Sequence, residues 1–300
     1  MIELMIELVI SVGLFVLGAA LGSFAAATVW RLRARQLQAD VAHGVKVSTQ
    51  EASEVKKLTE KQRKISSDRS VCLHCGRQLS WQELIPVVSW LAVGGKCRTC
   101  KKPIGKMEIL AEVVLGAAFV VSYLFWPYDV NTLGLVLLGL WFIVLVALAI
   151  HWMYDARWFL LLDKVTVVIT VVAVLFMAFT FADQPGQLLV GSLTGIGLTI
   201  LVLPGFYGAL YLVSRGAWIG LGDVKLLVPF AFMLPSWEYG VLLIFLANLI
   251  GSLTLLPAML SKKLTRSTRV PFGPFIIAAF IITFLFGRRI LDFYFGAFLF

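Results

Sequence analysis

The strongest constraint on how this chain can fold is the recurrence of long apolar stretches separated by short polar joints. An α-helix needs about 17–25 apolar residues to cross a bilayer. Hydropathy marks eight stretches near that length, approximately Val9–Trp30, Ile109–Phe125, Leu133–Trp152, Val165–Phe181, Leu188–Val213, Val224–Leu234, Tyr239–Leu260 and Phe272–Phe286. Val224–Leu234 is short for a full crossing and reads as a tilted, interrupted or partly re-entrant helix. At 60% hydrophobic and 14% charged residues, the chain lies well outside the range of soluble domains, which are about 45–50% apolar. Hydrocarbon offers the backbone no hydrogen-bond partners, so each span must satisfy its own N–H and C=O groups. The expected fold class is therefore an all-α polytopic membrane protein of about eight transmembrane helices. The first run exceeds the apolar core of a signal peptide, about 7–15 residues, and ends at Trp30-Arg31 without a small-residue cleavage site, so it is expected to remain as a span.

Basic residues collect in cytoplasmic loops, and their distribution here is one-sided. The segment from Arg31 to Met107 holds 16 of the 26 Lys and Arg residues. Arg157, Lys164, Arg215, Lys225, Lys262, Lys263, Arg266 and Arg269 fall at alternate joints on the same side, and only Arg288 and Arg289 oppose them. The opposite joints, Trp126–Val130 and Ala182–Gln187, carry none. This pattern predicts an N-terminus outside and residues 31–107 in the cytoplasm. The net charge of +9 is read as an orientation signal with attraction to anionic lipid, not as a nucleic-acid footprint. Trp126, Tyr128, Trp152, Tyr154, Trp158, Trp218 and Trp237 mostly flank spans, as an interfacial belt does. Between Val41 and Arg69 the mixed charges, with Glu60 four residues before Lys64, suit a solvated helix or linker.

All four cysteines lie in that basic segment, as Cys72-x2-Cys75, 21 residues, then Cys97-x2-Cys100. Two short thiolate knuckles at such spacing are the pattern of a zinc-ribbon site, and four protein ligands close a tetrahedral shell. A cytoplasmic location makes paired disulfides the weaker alternative. The metal expected is a structural zinc, holding the loop Trp81–Gly95 against the membrane. His74 is expected to face solvent, and Gly94-Gly95 to form the tight turn into the second knuckle.

Carboxylates near the spans are few, and an ionisable group there marks a functional site until a partner accounts for it. Asp223 lies in Trp218-Ile-Gly-Leu-Gly-Asp-Val-Lys-Leu-Leu227, where Gly220 and Gly222 let another backbone or a peptide approach. On turn chemistry alone, Asp223 reads equally well as a helix cap. A second stretch, Tyr154-Asp-Ala-Arg-Trp-Phe-Leu-Leu-Leu-Asp163, brings Asp155 and Asp163 to a boundary as well. Asp163 is expected to cap the following helix, and Glu108 to sit at a helix N-terminus where the macrodipole favours it. Glu112, deeper in its span, needs a basic partner inside the bundle or a proton.

Taken together, the Asp155 stretch and Gly220-Leu-Gly-Asp223-Val-Lys225 resemble the GxGD aspartyl proteases of the membrane. The wider chain resembles the bacterial prepilin peptidases, or type IV leader peptidases. The resemblance runs through Gly22-Ser-Phe24, Arg31-Leu32, Cys72-Leu-His-Cys75, Ile85-Pro-Val-Val-Ser-Trp90, Gly94-Gly-Lys-Cys97-Arg-Thr-Cys100, Glu112 and Pro271-Phe-Gly-Pro274. It implies a first span at residues 1–30, a cytosolic domain with the four-cysteine site at 31–107, and a transmembrane protease core at 108–300.

The resemblance also implies the chemistry. Asp155 and Asp223 would be the catalytic pair, with Gly220, Gly222 and Lys225 supporting them. Two carboxylates in a poorly solvated site share one proton, so one takes a proton from water while the other donates to the scissile carbonyl. The implied substrates are type IV prepilins or pseudopilins, cut between a basic leader and the hydrophobic helix at the cytoplasmic face of the inner membrane. Many members also methylate the new N-terminus with S-adenosylmethionine, although no Gly-rich nucleotide fingerprint is present. The chain departs from the family pattern at Leu161-Leu162-Asp163, which lacks the usual proline before the Asp, and at Ala26 and Arg33, where Asn and Pro are commoner. The reading from another class is a polytopic transporter or scaffold with Asp155 and Asp223 as ion sites and a cytosolic zinc ribbon.

Overall fold

The computed structural model describes residues 1–45, 70, 72, 74–183, 189–261 and 270–298, with side chains from 183 to 193 and at 298 left aside. The expected solvated helix around Glu60, and the basic residues from Lys262 to Arg269, lie outside the described residues. The chain forms two units, Met1–Val120 and Val121–Phe300. Among the described residues, seven helices are long and apolar enough to cross a membrane.

In the first unit, α1 (Ile2–Ala42) runs for 41 residues, about 60 Å at 1.5 Å per residue. It extends beyond the expected apolar span at both ends. A short 3₁₀ turn (Trp81–Leu84) and α2 (Val88–Ala92) follow, then α3 (Lys106–Leu124). α1 and α3 meet backbone to backbone. A Cβ added to Gly18 would lie 2.8 Å from the Leu115 carbonyl oxygen, and one added to Gly22 would lie 2.6 Å from that of Ala111. Glycines four residues apart are the small-residue seam that lets membrane helices approach without a hydrophobic driving force.

The second unit contains α4 (Thr132–Trp158), α5 (Asp163–Asp183), α6 (Leu189–Ile200), α7 (Phe206–Ser214), α8 (Leu221–Met233), α9 (Trp237–Leu260) and α10 (Gly273–Phe298). Asn131 starts α4 by accepting the Gly134 N–H at 2.8 Å, an N-cap in the usual sense. The expected span Leu188–Val213 is among the seven, as the continuous helical stretch Thr194–Ser214, with one irregular turn inside it. A π turn, Leu201–Gly205, joins α6 to α7 around Pro204, whose ring removes a donor and widens the ladder. The expected short stretch Val224–Leu234 is α8, of only 13 residues, about 20 Å long and short of a bilayer core of about 30 Å.

The core of this unit is aromatic. Trp141 stacks on Phe284 at 4.1 Å, and Phe230 on Phe280 at 3.7 Å. The buried indole N–H of Trp141 donates to Ser122 Oγ at 2.8 Å, which satisfies the one polar atom that ring brings inside. Around this core α5 packs against both α4 and α8, and α10 against α4 and α8. Those contacts gather the C-terminal end of α4, the N-terminal end of α8 and the N-terminal end of α10.

Candidate active site

Asp155 occupies the last turn of α4, where it is 5% exposed. The helix stops one turn later because Phe159 adopts the left-handed conformation, with its N–H donating to the Asp155 carbonyl oxygen at 2.9 Å. The Asp155 carboxylate accepts the Gly273 N–H at 3.0 Å on Oδ2. Gly273 opens α10, where the first backbone donors have no partner inside the helix, so one of them is spent on Asp155. The absence of a side chain there is required: a Cβ on Gly273 would sit 2.6 Å from the same oxygen.

Asp223 lies in the first turn of α8. Its Oδ2 accepts the Gly220 N–H at 3.3 Å, while its own N–H donates to the Gly220 carbonyl at 3.2 Å. This reciprocal pair is a capping arrangement with the acid at the third helical position. Asp155 is among the groups whose charge bears on Asp223. The turns carrying them are joined by Leu161. A Cβ on Gly222 would lie 3.1 Å from Leu161 Cβ, and one on Gly273 would lie 3.5 Å from Leu161 Cδ2. One leucine thus fills the space beside both glycines, at the joint where a proline was missed in the sequence.

Asp163, expected to cap the next helix, does something else. It is the first residue of α5, one position inside it, and both carboxylate oxygens accept from Lys225 Nζ, at 2.9 and 3.0 Å. The Leu162 carbonyl begins the helical ladder instead, accepting the N–H groups of Val165 and Thr166. The Lys225–Asp163 pair is exposed, and it ties the loop after Asp155 to the helix that carries Asp223.

Two polar features near this site were not singled out from the sequence. His151, one turn before Asp155 on α4, is fully buried with Nε2 3.1 Å from Thr166 Oγ1. Tyr207, also buried, accepts from Asn248 Nδ2 at 3.2 Å and lies close enough to feel the charge of Asp223. An imidazole and an amide within otherwise apolar spans were the available signals. Trp158 packs on Tyr154 with ring centres 4.7 Å apart, whereas Trp218 is exposed.

In the first unit the four cysteine sulfurs lie within 4.8 Å of one another. The Cys72 and Cys100 sulfurs are 3.9 Å apart, far beyond a disulfide bond. The separation matches the edge of about 3.8 Å that a tetrahedron with metal–sulfur bonds of about 2.3 Å requires. The two knuckles share one backbone pattern. Cys72 N–H donates to the Arg77 carbonyl and Gly76 N–H to the Cys72 carbonyl; Cys97 N–H donates to the Lys102 carbonyl and Lys101 N–H to the Cys97 carbonyl. The backbone N–H groups of Cys100 and Thr99 hold the Cys97 thiol down, to about 6, which favours a thiolate ready for a cation.

Glu83 links the knuckles by pairing with Arg77 and Arg98, and Arg77 holds its carboxyl down to about 2. His74 is exposed, and Gly94 and Gly95 both take positive φ, as the expected turn requires. The cluster can hold a metal ion.

Glu112 is buried, and the partner it finds is a main-chain donor. Its Oε2 accepts the Val87 N–H at 2.7 Å. Glu108, in the first turn of α3, accepts the Trp30 indole N–H at 3.2 Å.

Comparison with known proteins agrees with this layout. Residues 16–126 match the family model of the bacterial peptidase A24 N-terminal domain, and residues 140–256 match that of the type IV leader peptidase family. The prepilin leader peptidase/N-methyltransferase of Dichelobacter nodosus is 29% identical over 93% of this chain and 92% of its own length. That of Aeromonas hydrophila is 31% identical over 77% of this chain and 76% of its own. A type 4 prepilin-like proteins leader peptide-processing enzyme of Escherichia coli is 28% identical over 86% of this chain. No solved structure matches. With both family models matched in order along the chain, and full-length relatives at this level of identity, the protein belongs to the type IV leader peptidase family.

Proposed function

We propose that the protein is a membrane-embedded aspartyl endopeptidase that removes the basic leader from type IV prepilins or pseudopilins, with Asp155 and Asp223 as its catalytic pair. The observation that carries the assignment is that Asp155 and Asp223, 68 positions apart in sequence, are brought to the same leucine: Leu161 packs beside Gly222, the neighbour of Asp223, and beside Gly273, whose N–H the Asp155 carboxylate accepts. Like charges in a poorly solvated site disfavour double ionisation, so the pair carries one proton and titrates as a unit. The ionised member removes a proton from water as it attacks the scissile carbonyl. The protonated member donates to the carbonyl oxygen. Gly273 N–H orients the Asp155 carboxylate and Gly220 N–H orients that of Asp223, so neither depends on a charged neighbour that would suppress the shared proton. The family match, with relatives named for prepilin leader cleavage, favours this reading over a transporter.

The basic residues favour an orientation with the N-terminus outside, residues 31–107 in the cytoplasm and the Asp pair at the cytoplasmic face of the inner membrane. That is the side on which a basic leader remains. Residues 108–300 then form the protease core. Cys72, Cys75, Cys97 and Cys100 would hold a structural zinc ion, which contributes folding free energy to the cytosolic segment and takes no part in hydrolysis. N-methylation of the new N-terminus, with S-adenosylmethionine as donor, is proposed from the relatives' second activity, without residues assigned to it. The direct test is incubation of the purified, lipid-reconstituted chain with a prepilin carrying its leader. A single cut just before the apolar helix supports the reading, and an intact substrate overturns it.

A further inference from the structure

The segment from Trp81 to Ala92 lies outside the spans, yet it presents an apolar surface. Trp81 is 73% exposed, and Leu84, Ile85, Val88 and Leu91 are exposed with it. The backbone that presents them is a 3₁₀ turn, a γ-turn and one short helix, α2. Among the described residues of the first unit, these five side chains remain exposed.

Its depth is fixed by one hydrogen bond. Val87 is the central residue of the γ-turn, with φ 60° and ψ −53° and the Val88 N–H donating to the Pro86 carbonyl. Positive φ is costly for a β-branched residue and persists only where the surroundings hold it. What holds it is Glu112, which takes the Val87 N–H at 2.7 Å. Glu112 is six residues into α3, about 9 Å along its axis. α3 has 19 residues, about 28 Å, barely the thickness of a bilayer core. Because α3 has no length to spare, Lys106 sits at the membrane boundary and Glu112 about 9 Å beneath it, and Val87 is tied to that level. Lys96, Lys101, Lys102 and Lys106 are exposed on the chain that follows, suited to anionic headgroups.

We propose that residues Trp81–Ala92 form an interfacial anchor that seats Trp81, Leu84, Ile85, Val88 and Leu91 in the headgroup–acyl boundary of the bilayer, held at that depth by the Val87–Glu112 bond. An apolar face buried about 5–10 Å beneath a basic rim is how amphipathic segments lie on membranes. The anchor lets the cysteine knuckles on either side of it stay close to the membrane surface without entering it.

The experiment uses the full chain in bilayer nanodiscs of phosphatidylethanolamine and phosphatidylglycerol, with p-benzoylphenylalanine in place of Val88, Leu91 or, as the exposed control within a knuckle, His74. Irradiation is expected to give phospholipid adducts at 88 and 91 several-fold above those at 74. Adducts to protein in place of lipid, or lipid adducts no greater than at 74, overturn the proposal. A second measurement avoids the bulky probe: acyl chains brominated near the headgroup should quench less of the total tryptophan emission in Trp81→Phe than in the unaltered chain. Unchanged fractional quenching counts against the anchor.

Discussion

Gly273 donates its N–H to Asp155 Oδ2 across 3.0 Å, and the same oxygen stands where a side chain on Gly273 would have to go. Gly273→Ala therefore displaces the carboxylate and weakens its one backbone hydrogen bond. A hydrogen bond to a charged group contributes about 1.5–3 kcal/mol, so prepilin cleavage should fall roughly 10- to 100-fold. Membrane insertion should be unchanged. Initial rates on a reconstituted prepilin, normalised to folded protein, check this; an unimpaired Gly273→Ala enzyme would contradict it.

The Lys225–Asp163 pair should behave differently. Exposed ion pairs contribute about 0–1 kcal/mol, so Asp163→Asn and Lys225→Ala should each retain substantial cleavage and lose little stability. The exchange Asp163→Lys with Lys225→Asp should recover activity relative to either single reversal, if the pair aligns the two motifs. Reversals that simply add would show that it does not.

Glu112 is a test of what a buried acid is for. Glu112→Ala leaves the Val87 N–H without its acceptor, at a cost of about 1–3 kcal/mol. Glu112→Gln keeps a carbonyl oxygen in place and should recover most of that loss. Thermal unfolding of the two variants in one detergent separates them, and equal melting temperatures would remove the role given to this bond.

For the cysteine cluster, metal analysis of the purified chain should find about one zinc per molecule, as four thiolates provide one closed site. Cys97→Ser should lower zinc content and the amount of folded protein together, because binding supplies folding free energy. Glu83→Gln, which unlinks the knuckles while leaving all four ligands, should speed zinc loss to a chelator. Active, reduced protein without zinc would contradict the structural role.

The spans were legible in the sequence because a bilayer imposes a length and an apolar composition that few other environments demand. The cysteine cluster was legible because its ligands come in two local pairs. Contacts set by helix packing were not. The Gly273–Asp155 bond joins residues 118 apart, and Lys225 reaches Asp163 across 62. No local rule distinguishes an aspartate that caps its own helix from one that meets a lysine on a neighbouring helix. The π turn at Leu201–Gly205 was hidden for a similar reason: Pro204 signals a break but not how neighbouring turns absorb it. Glu112 stood out as a buried acid, yet its partner is a main-chain N–H, which carries no residue identity to read.

The central claim is that Asp155 and Asp223 act as one proton-sharing unit, and one measurement bears on it most directly. Cleavage of a reconstituted prepilin is compared for the unaltered chain, Asp155→Asn, Asp223→Asn and the double variant, each confirmed as inserted and folded. Groups acting as a unit are strongly non-additive, so each single variant should lose nearly as much activity as the double. Substantial cleavage by either single variant would contradict the account.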